Sequence, residues 1–174
     1  MKLFVTVGAE KLSFNRLLKI VDQYVFSGIF PNDTFIQIGH SSYHPRYCSY
    51  CRFLDYYDME DIIAGSDVIL SHAGMGTVIL CLKHGKIPIL FPRKVCFREH
   101  VDDHQSIFAQ TMSKKGMVLT AFSPEQLQRI YLNFERFSKS LKPNVNRNKN
   151  KDLFSYLKRI LTDFSVPRGG NNGY

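Results

Sequence analysis

From Ser71 to Thr77 the chain reads Ser-His-Ala-Gly-Met-Gly-Thr, directly after the apolar run Asp67-Val-Ile-Leu70 and directly before the helix-compatible Val78-Ile-Leu-Cys-Leu82. Gly74 and Gly76 let backbone approach a ligand closely, and the free N–H groups of a helix start carry partial positive charge. Strand, glycine-rich turn and helix start together suit a phosphate. The Ser71 and Thr77 hydroxyls, His72 and the backbone of Gly74, Met75 and Gly76 supply donors for a diphosphate. A plain tight turn that needs glycine would read the same way. The dinucleotide fingerprint Gly-x-Gly-x-x-Gly is absent, because Ile79 stands at its third glycine.

A second polar stretch, Phe91 to Gln105, joins a buried strand to a helix and contains Arg93, Glu99, His100, His104 and Gln105. A mere connector does not need all of these. Arg93 is suited to pair with phosphate, Glu99 to accept ribose or sugar hydroxyls, and His104 with Gln105 to donate or to act as acid or base. Surface solvation accounts equally for Asp102 and Asp103. His72 and Glu99 are the two candidate catalytic groups. His72, beside the phosphate turn, would stabilise leaving-group charge as a cation or donate a neutral hydrogen bond, and binding is favoured over proton transfer. Gly8, with Arg16 downstream, opens a smaller turn of the same kind, for which an ordinary first βα turn is an equal reading.

These loops must be held by regular elements. Leu3-Phe-Val-Thr-Val7, Thr34–Ile38, Asp67–Leu70, Ile87–Phe91 and Met117–Thr120 read as strands, and 13–25, 59–64, 101–114 and 123–137 as helices. Ser123-Pro124 is a strong helix start. Strands without a clean period of two, alternating with helices, indicate a parallel sheet covered on both faces. The expected fold is α/β and Rossmann-like, with the loops at Gly8, Gly39, Ser71 and Pro92 along one carboxyl edge. The expected organisation is a binding domain over 1–138, a basic linker over 139–151, an amphipathic helix over 152–165 packed on the domain or a partner, and a flexible tail over 166–174.

With 44% hydrophobic and 13% aromatic residues, a chain of 174 residues can fill a core and is not a disordered one. No apolar stretch is long enough to cross a bilayer, and Met1 to Gly8 is too short for a signal-peptide core, so the chain is expected in the cytoplasm. The four cysteines, Cys48, Cys51, Cys81 and Cys96, are expected as reduced thiols, and Cys48 and Cys51 lack convincing further ligands for a metal. A net charge of +8 favours an anionic partner.

Val5-Thr-Val-Gly8, Phe14-Asn-Arg-Leu17, Gln37-Ile-Gly39, Ser71 to Thr77, Gly85-Lys-Ile-Pro88 and His104-Gln105 together resemble the C-terminal, donor-binding half of family 28 glycosyltransferases, from about Lys2 to Leu119. Within that family the chain looks most like the small stand-alone members: the catalytic subunit of the eukaryotic dolichol-linked N-acetylglucosaminyltransferase and bacterial exopolysaccharide subunits of the PssE type. The resemblance implies a single GT-B C-terminal-type domain that binds a UDP-sugar. It also implies a membrane-associated partner subunit carrying the acceptor-binding half, at the inner face of the membrane. A lipid-linked saccharide in capsule or exopolysaccharide synthesis would be the acceptor, with no nucleic acid, no further cofactor and no obligate metal.

By the same likeness the Ser71 to Thr77 loop would hold the diphosphate, Pro92 and Arg93 would lie near uracil or diphosphate, and Glu99, His104 and Gln105 would face ribose or donor sugar. Larger relatives carry a glutamate after the glycine-rich loop for the ribose hydroxyls, whereas Leu80 stands here. A non-catalytic accessory subunit is therefore the main alternative. A nucleotide-binding redox protein would use Cys48 and Cys51 but lacks the fingerprint.

Overall fold

A computed structural model of the chain describes residues 1–141 and Ser155. The chain divides into two units, 1–144 and 145–174, and the fold and the site belong to the first. The basic stretch 142–151, the 152–165 segment and the 166–174 tail lie outside the described residues, Ser155 apart.

Among the described residues, six strands and six helices run in the order β1 (Leu3–Thr6), α1 (Asn15–Phe26), β2 (Phe35–Gln37), β3 (Ser49–Cys51), α2 (Tyr56–Gly65), β4 (Val68–Ser71), α3 (Met75–Lys83), β5 (Ile89–Leu90), α4 (His104–Lys114), β6 (Leu119–Thr120), α5 (Pro124–Leu132) and α6 (Phe134–Ser140). A 3-10 turn at Val95–Phe97 precedes α4. The sheet runs β3-β2-β1-β4-β5-β6 and every pairing is parallel. The fold is thus the expected α/β Rossmann-like sheet.

Both faces of the sheet are buried, which explains why its strands read as unbroken apolar runs. Leu3, Val5, Leu70 and Ile36 pack with Leu17, Val21 and Val25 of α1 and with Leu127 and Ile130 of α5. Phe4 and Ile69 point the other way, into Ile63 of α2 and Leu80 and Cys81 of α3. Each such side chain contributes about 1.5–3 kcal/mol relative to exposure.

Register fixes where the loops leave. Thr6 pairs with both Gln37 and Ser71, Gln37 with Cys51, Ser71 with Leu90, and Leu90 with Thr120, so all six strands end at one level. The chain winds outward from β1 through β2 to β3, then restarts at β4 on the other side. That reversal between β1 and β4 is where open parallel sheets leave a crevice for ligands.

Several elements differ from the sequence expectation. β3 is an additional edge strand, too short and too polar to show a period. Loop 40–48 ahead of it is held by Asp22, whose Oδ1 accepts from Tyr47 N (2.8 Å) and whose Oδ2 accepts from the Tyr43 hydroxyl (2.7 Å). Cys48 is buried against that carboxylate, and burial followed by the Asp22 charge pushes its thiol up to about 12. The expected helix 123–137 is broken at Asn133 into α5 and α6. Among the described residues no helix is long and apolar enough to cross a membrane.

Candidate functional site

α3 begins at Met75, three residues earlier than its apolar run suggests, with Gly74 as the capping residue. Gly74 has no side chain, so the capping residue offers no oxygen to the first-turn N–H groups, whereas α2 is capped by Asp55, whose Oδ1 accepts from Asp58 N (2.8 Å). α3 also contains no acidic residue in its first turn. The first-turn N–H groups of Met75, Gly76 and Thr77 and the positive end of the helix dipole are therefore available to an anion at the carboxyl end of β4. Ala73, with a φ of 69°, makes the left-handed step that turns the strand into this helix.

His72 lies beneath this loop. Its ring is wedged between two glycines: a Cβ on Gly8 or on Gly74 would collide with its Cε1 and Nε2 atoms. Gly8 also has a φ of +73°, and a Cβ on Gly39 would collide with the Gly8 carbonyl, so both turns require glycine. The His72 Nδ1 lies 3.4 Å from the Thr6 carbonyl. A carbonyl only accepts, so Nδ1 carries the proton and Nε2 is bare. Burial, followed by the nearby Arg93 charge, lowers the His72 pKa to about 4. The ring is neutral at physiological pH. Ser71 also faces inward, and its hydroxyl is buried without a partner among the described residues.

The β5–α4 loop, 92–103, is differently built. Arg93 is 1% exposed. Its Nη1 donates to the carbonyls of Leu12 (2.7 Å) and Glu99 (3.0 Å), and its Nη2 donates to that of Val7 (2.8 Å). The guanidinium carbon lies 4.8 Å from the Phe14 ring centre, and burial lowers its pKa to about 10, so it stays cationic. Glu99, 4% exposed, accepts from Arg16 Nε (2.9 Å) and Nη2 (2.7 Å) and from Lys94 N (3.0 Å). Arg16 in turn lies over Phe91 and Phe97, 4.7 and 4.9 Å from their ring centres.

Arg93 and Glu99 thus tie the β5–α4 loop to the β1–α1 loop, and both are buried within that tie. Pro92 is buried beside them, and its carbonyl accepts from Arg16 Nη2 (3.1 Å). Gln105 accepts from Arg93 N (3.2 Å). His104 is the exposed member: its side chain is 82% accessible and its Nδ1 lies 3.2 Å from Asp102 Oδ2. Asp102 also meets His100 Nδ1 at 3.0 Å.

A cavity of about 270 Å³, which the sequence did not suggest, opens beside the first turn of α3. Leu54, Met59 and Leu80 give it an apolar floor, Asp55 and Tyr56 come from the start of α2, and Gly76 and Thr77 from the start of α3. Its walls lie about 20 residues apart in sequence. The clue was present in Asp55, which precedes helix α2 as a capping residue does.

The site can therefore offer backbone donors to an anion, with an apolar recess alongside. Comparisons with known proteins give the family and the fold. The glycosyltransferase family 28 C-terminal domain matches the chain over residues 2–160. Over 72 residues the chain is 39% identical to the UDP-N-acetylglucosamine transferase subunit ALG13 of Cryptococcus neoformans var. neoformans serotype D. That stretch spans 41% of this chain and 34% of the relative, about a third of its length.

Among solved structures, the NMR solution structure of ALG13 matches with a TM-score of 0.60 at 19% identity, covering 92% of this chain and 96% of that one. The glycotransferase of kitacinnamycin matches at 0.59 and 17% identity, covering 95% and 43%. Acinetobacter baumannii MurG matches at 0.54 and 16% identity, covering 91% and 50%. At these identities the likeness is one of fold. With residues 2–160 inside the family match, the chain belongs to the glycosyltransferase family 28 C-terminal domain family.

Proposed function

We propose that this chain is the donor-binding, catalytic subunit of a two-component glycosyltransferase. It takes a UDP-sugar and transfers the sugar to a lipid-linked saccharide presented by a membrane-associated partner, in capsule or exopolysaccharide synthesis at the cytoplasmic face. The observation that carries this reading is the uncapped start of α3 next to the cavity. At about 270 Å³ the cavity is smaller than the roughly 300–1,000 Å³ of a pocket for a whole drug-sized ligand. It suits the nucleoside end, with the base against Leu54, Met59 and Leu80 and the diphosphate outside on the N–H groups of Met75, Gly76 and Thr77.

In transfer, the acceptor hydroxyl oxygen bonds to the sugar carbon as the bond from that carbon to the diphosphate breaks. The departing UDP gains charge, and the helix dipole with its free N–H groups stabilises it. His72 serves as a neutral spacer beneath the turn, because its bare Nε2 would repel a phosphate. A base must take the hydroxyl proton. The name of the ALG13 relative makes UDP-N-acetylglucosamine the first donor to try.

Gly76 supplies the test. It is exposed, and a Cβ there would meet nothing within 4 Å, so Gly76→Ala keeps the fold while adding a methyl group at the nucleotide seat. Calorimetric titration with UDP and UDP-sugars should show about tenfold weaker binding by the variant, ~1.4 kcal/mol. Equal affinities would place the nucleotide elsewhere. The accessory reading draws on Leu80, an apolar residue in the cavity wall. It predicts no UDP-sugar binding even with the partner subunit present.

A further inference from the structure

A nucleotide in this seat brings a chemical requirement: its ribose carries two vicinal hydroxyl donors, and something must accept them. Glu99 is unsuited, since both its oxygens are engaged by Arg16 and Lys94 and the residue is buried. Leu80 has no acceptor to offer. Among the residues lining the cavity a single carboxylate remains, that of Asp55. Its Oδ1 is occupied by Asp58 N (2.8 Å), while Oδ2 accepts no bond among the described residues. Asp55 is exposed, and it lines the same cavity as Gly76 and Thr77, where the diphosphate would begin.

We infer that Asp55 receives the ribose diol, and that the site thereby selects ribonucleotide over deoxyribonucleotide donors. This rests on the proposed nucleotide seat. The carboxylate does two jobs with separate oxygens: one caps α2, and the other accepts from the sugar. The cap holds the acceptor still, because α2 carries the residue on a fixed backbone. A charged acceptor makes stronger hydrogen bonds than a neutral one, and a site built to bind a hydroxyl disfavours the analogue that lacks it. Because Asp55 is exposed to water, the discrimination is modest, about tenfold, rather than the ~10⁴ of an enclosed site.

The experiment compares UDP with 2′-deoxy-UDP by calorimetry on the full chain, on Asp55→Asn and on Asp55→Ser. Asparagine and serine cap a helix about as well as aspartate, so α2 should persist in both, which circular dichroism verifies. The wild type is expected to prefer UDP about tenfold, and both variants to bring that ratio close to one. A preference for UDP that survives both substitutions overturns the role of Asp55. Wild-type binding of both nucleotides with equal affinity overturns ribose selection while leaving the nucleotide seat standing. Binding of neither nucleotide, with or without the partner subunit, removes the seat itself.

Discussion

The two loops that follow β4 and β5 leave the same edge of one sheet, yet they are made in opposite ways. The β5–α4 loop is rich in charge, and its buried charges are turned inward: Arg93 on three carbonyls, Glu99 on Arg16 and Lys94. The β4–α3 loop carries no formal charge, and its backbone donors are left open. Charged side chains are costly to bury and so are paired where they are buried. Anion binding at a helix start needs only peptide groups. The loop that looked chemically rich in sequence is thus the brace, and the plainer loop is the candidate seat.

The contrast can be broken most severely at Arg93. Arg93→Ala would strip the carbonyls of Val7, Leu12 and Glu99 of a donor and leave Glu99 and Arg16 without their scaffold. We expect a loss of about 3–5 kcal/mol in urea denaturation, with UDP affinity per folded molecule little changed. A stable variant that has lost nucleotide would instead make Arg93 a ligand group.

His72 sharpens the comparison through pH. Its folded-state pKa of about 4 lies below the ordinary 6.5, so between these values the unfolded chain binds a proton that the folded one does not. Its contribution to stability is therefore complete above about pH 6.5 and declines as pH falls toward 4, on the order of 3 kcal/mol in all. Denaturation curves across that range should show the decline in the wild type and a smaller one in His72→Asn. Identical slopes would mean that the native ring takes up its proton as readily as the unfolded one.

A smaller effect is expected at Gly74, where an added methyl group meets the His72 ring. Gly74→Ala should cost about 1–3 kcal/mol by overpacking, and much of that should disappear in a His72→Ala background. Additive losses would show that the two do not touch. Smallest of all is the stability change in Gly76→Ala, expected within about 0.5 kcal/mol, which is what makes its effect on nucleotide binding readable.

The sheet was legible because burial on both faces writes itself into composition: Val68-Ile-Leu70 needs no partner to be recognised as a central strand. The turn after it was legible for the same local reason. What sequence could not convey was the destination of each charge. Arg93 ends 86 residues away on Val7, and Glu99 ends 83 away on Arg16, distances over which no periodicity acts. The cavity escaped for a related reason, since Leu54 to Met59 and Gly76 to Leu80 form a surface only once α2 and α3 lie side by side. β3 escaped because three residues at a sheet edge, with Ser49 and Tyr50 exposed, carry no apolar pattern.

The Arg16–Glu99 bond also has a temporal meaning. A chain made from its N-terminus exposes β1 and the start of α1 long before residue 99 exists. Contacts of such sequence separation form slowly, after the loop between them has closed. The first β-turn-α unit must therefore wait, with the carbonyls of Val7 and Leu12 open to water, until the chain has been made as far as Arg93 and Glu99. During that interval the emerging strand is exposed to wrong pairing. A nascent chain halted short of Arg93 would hold an intact glycine turn on an unfinished frame.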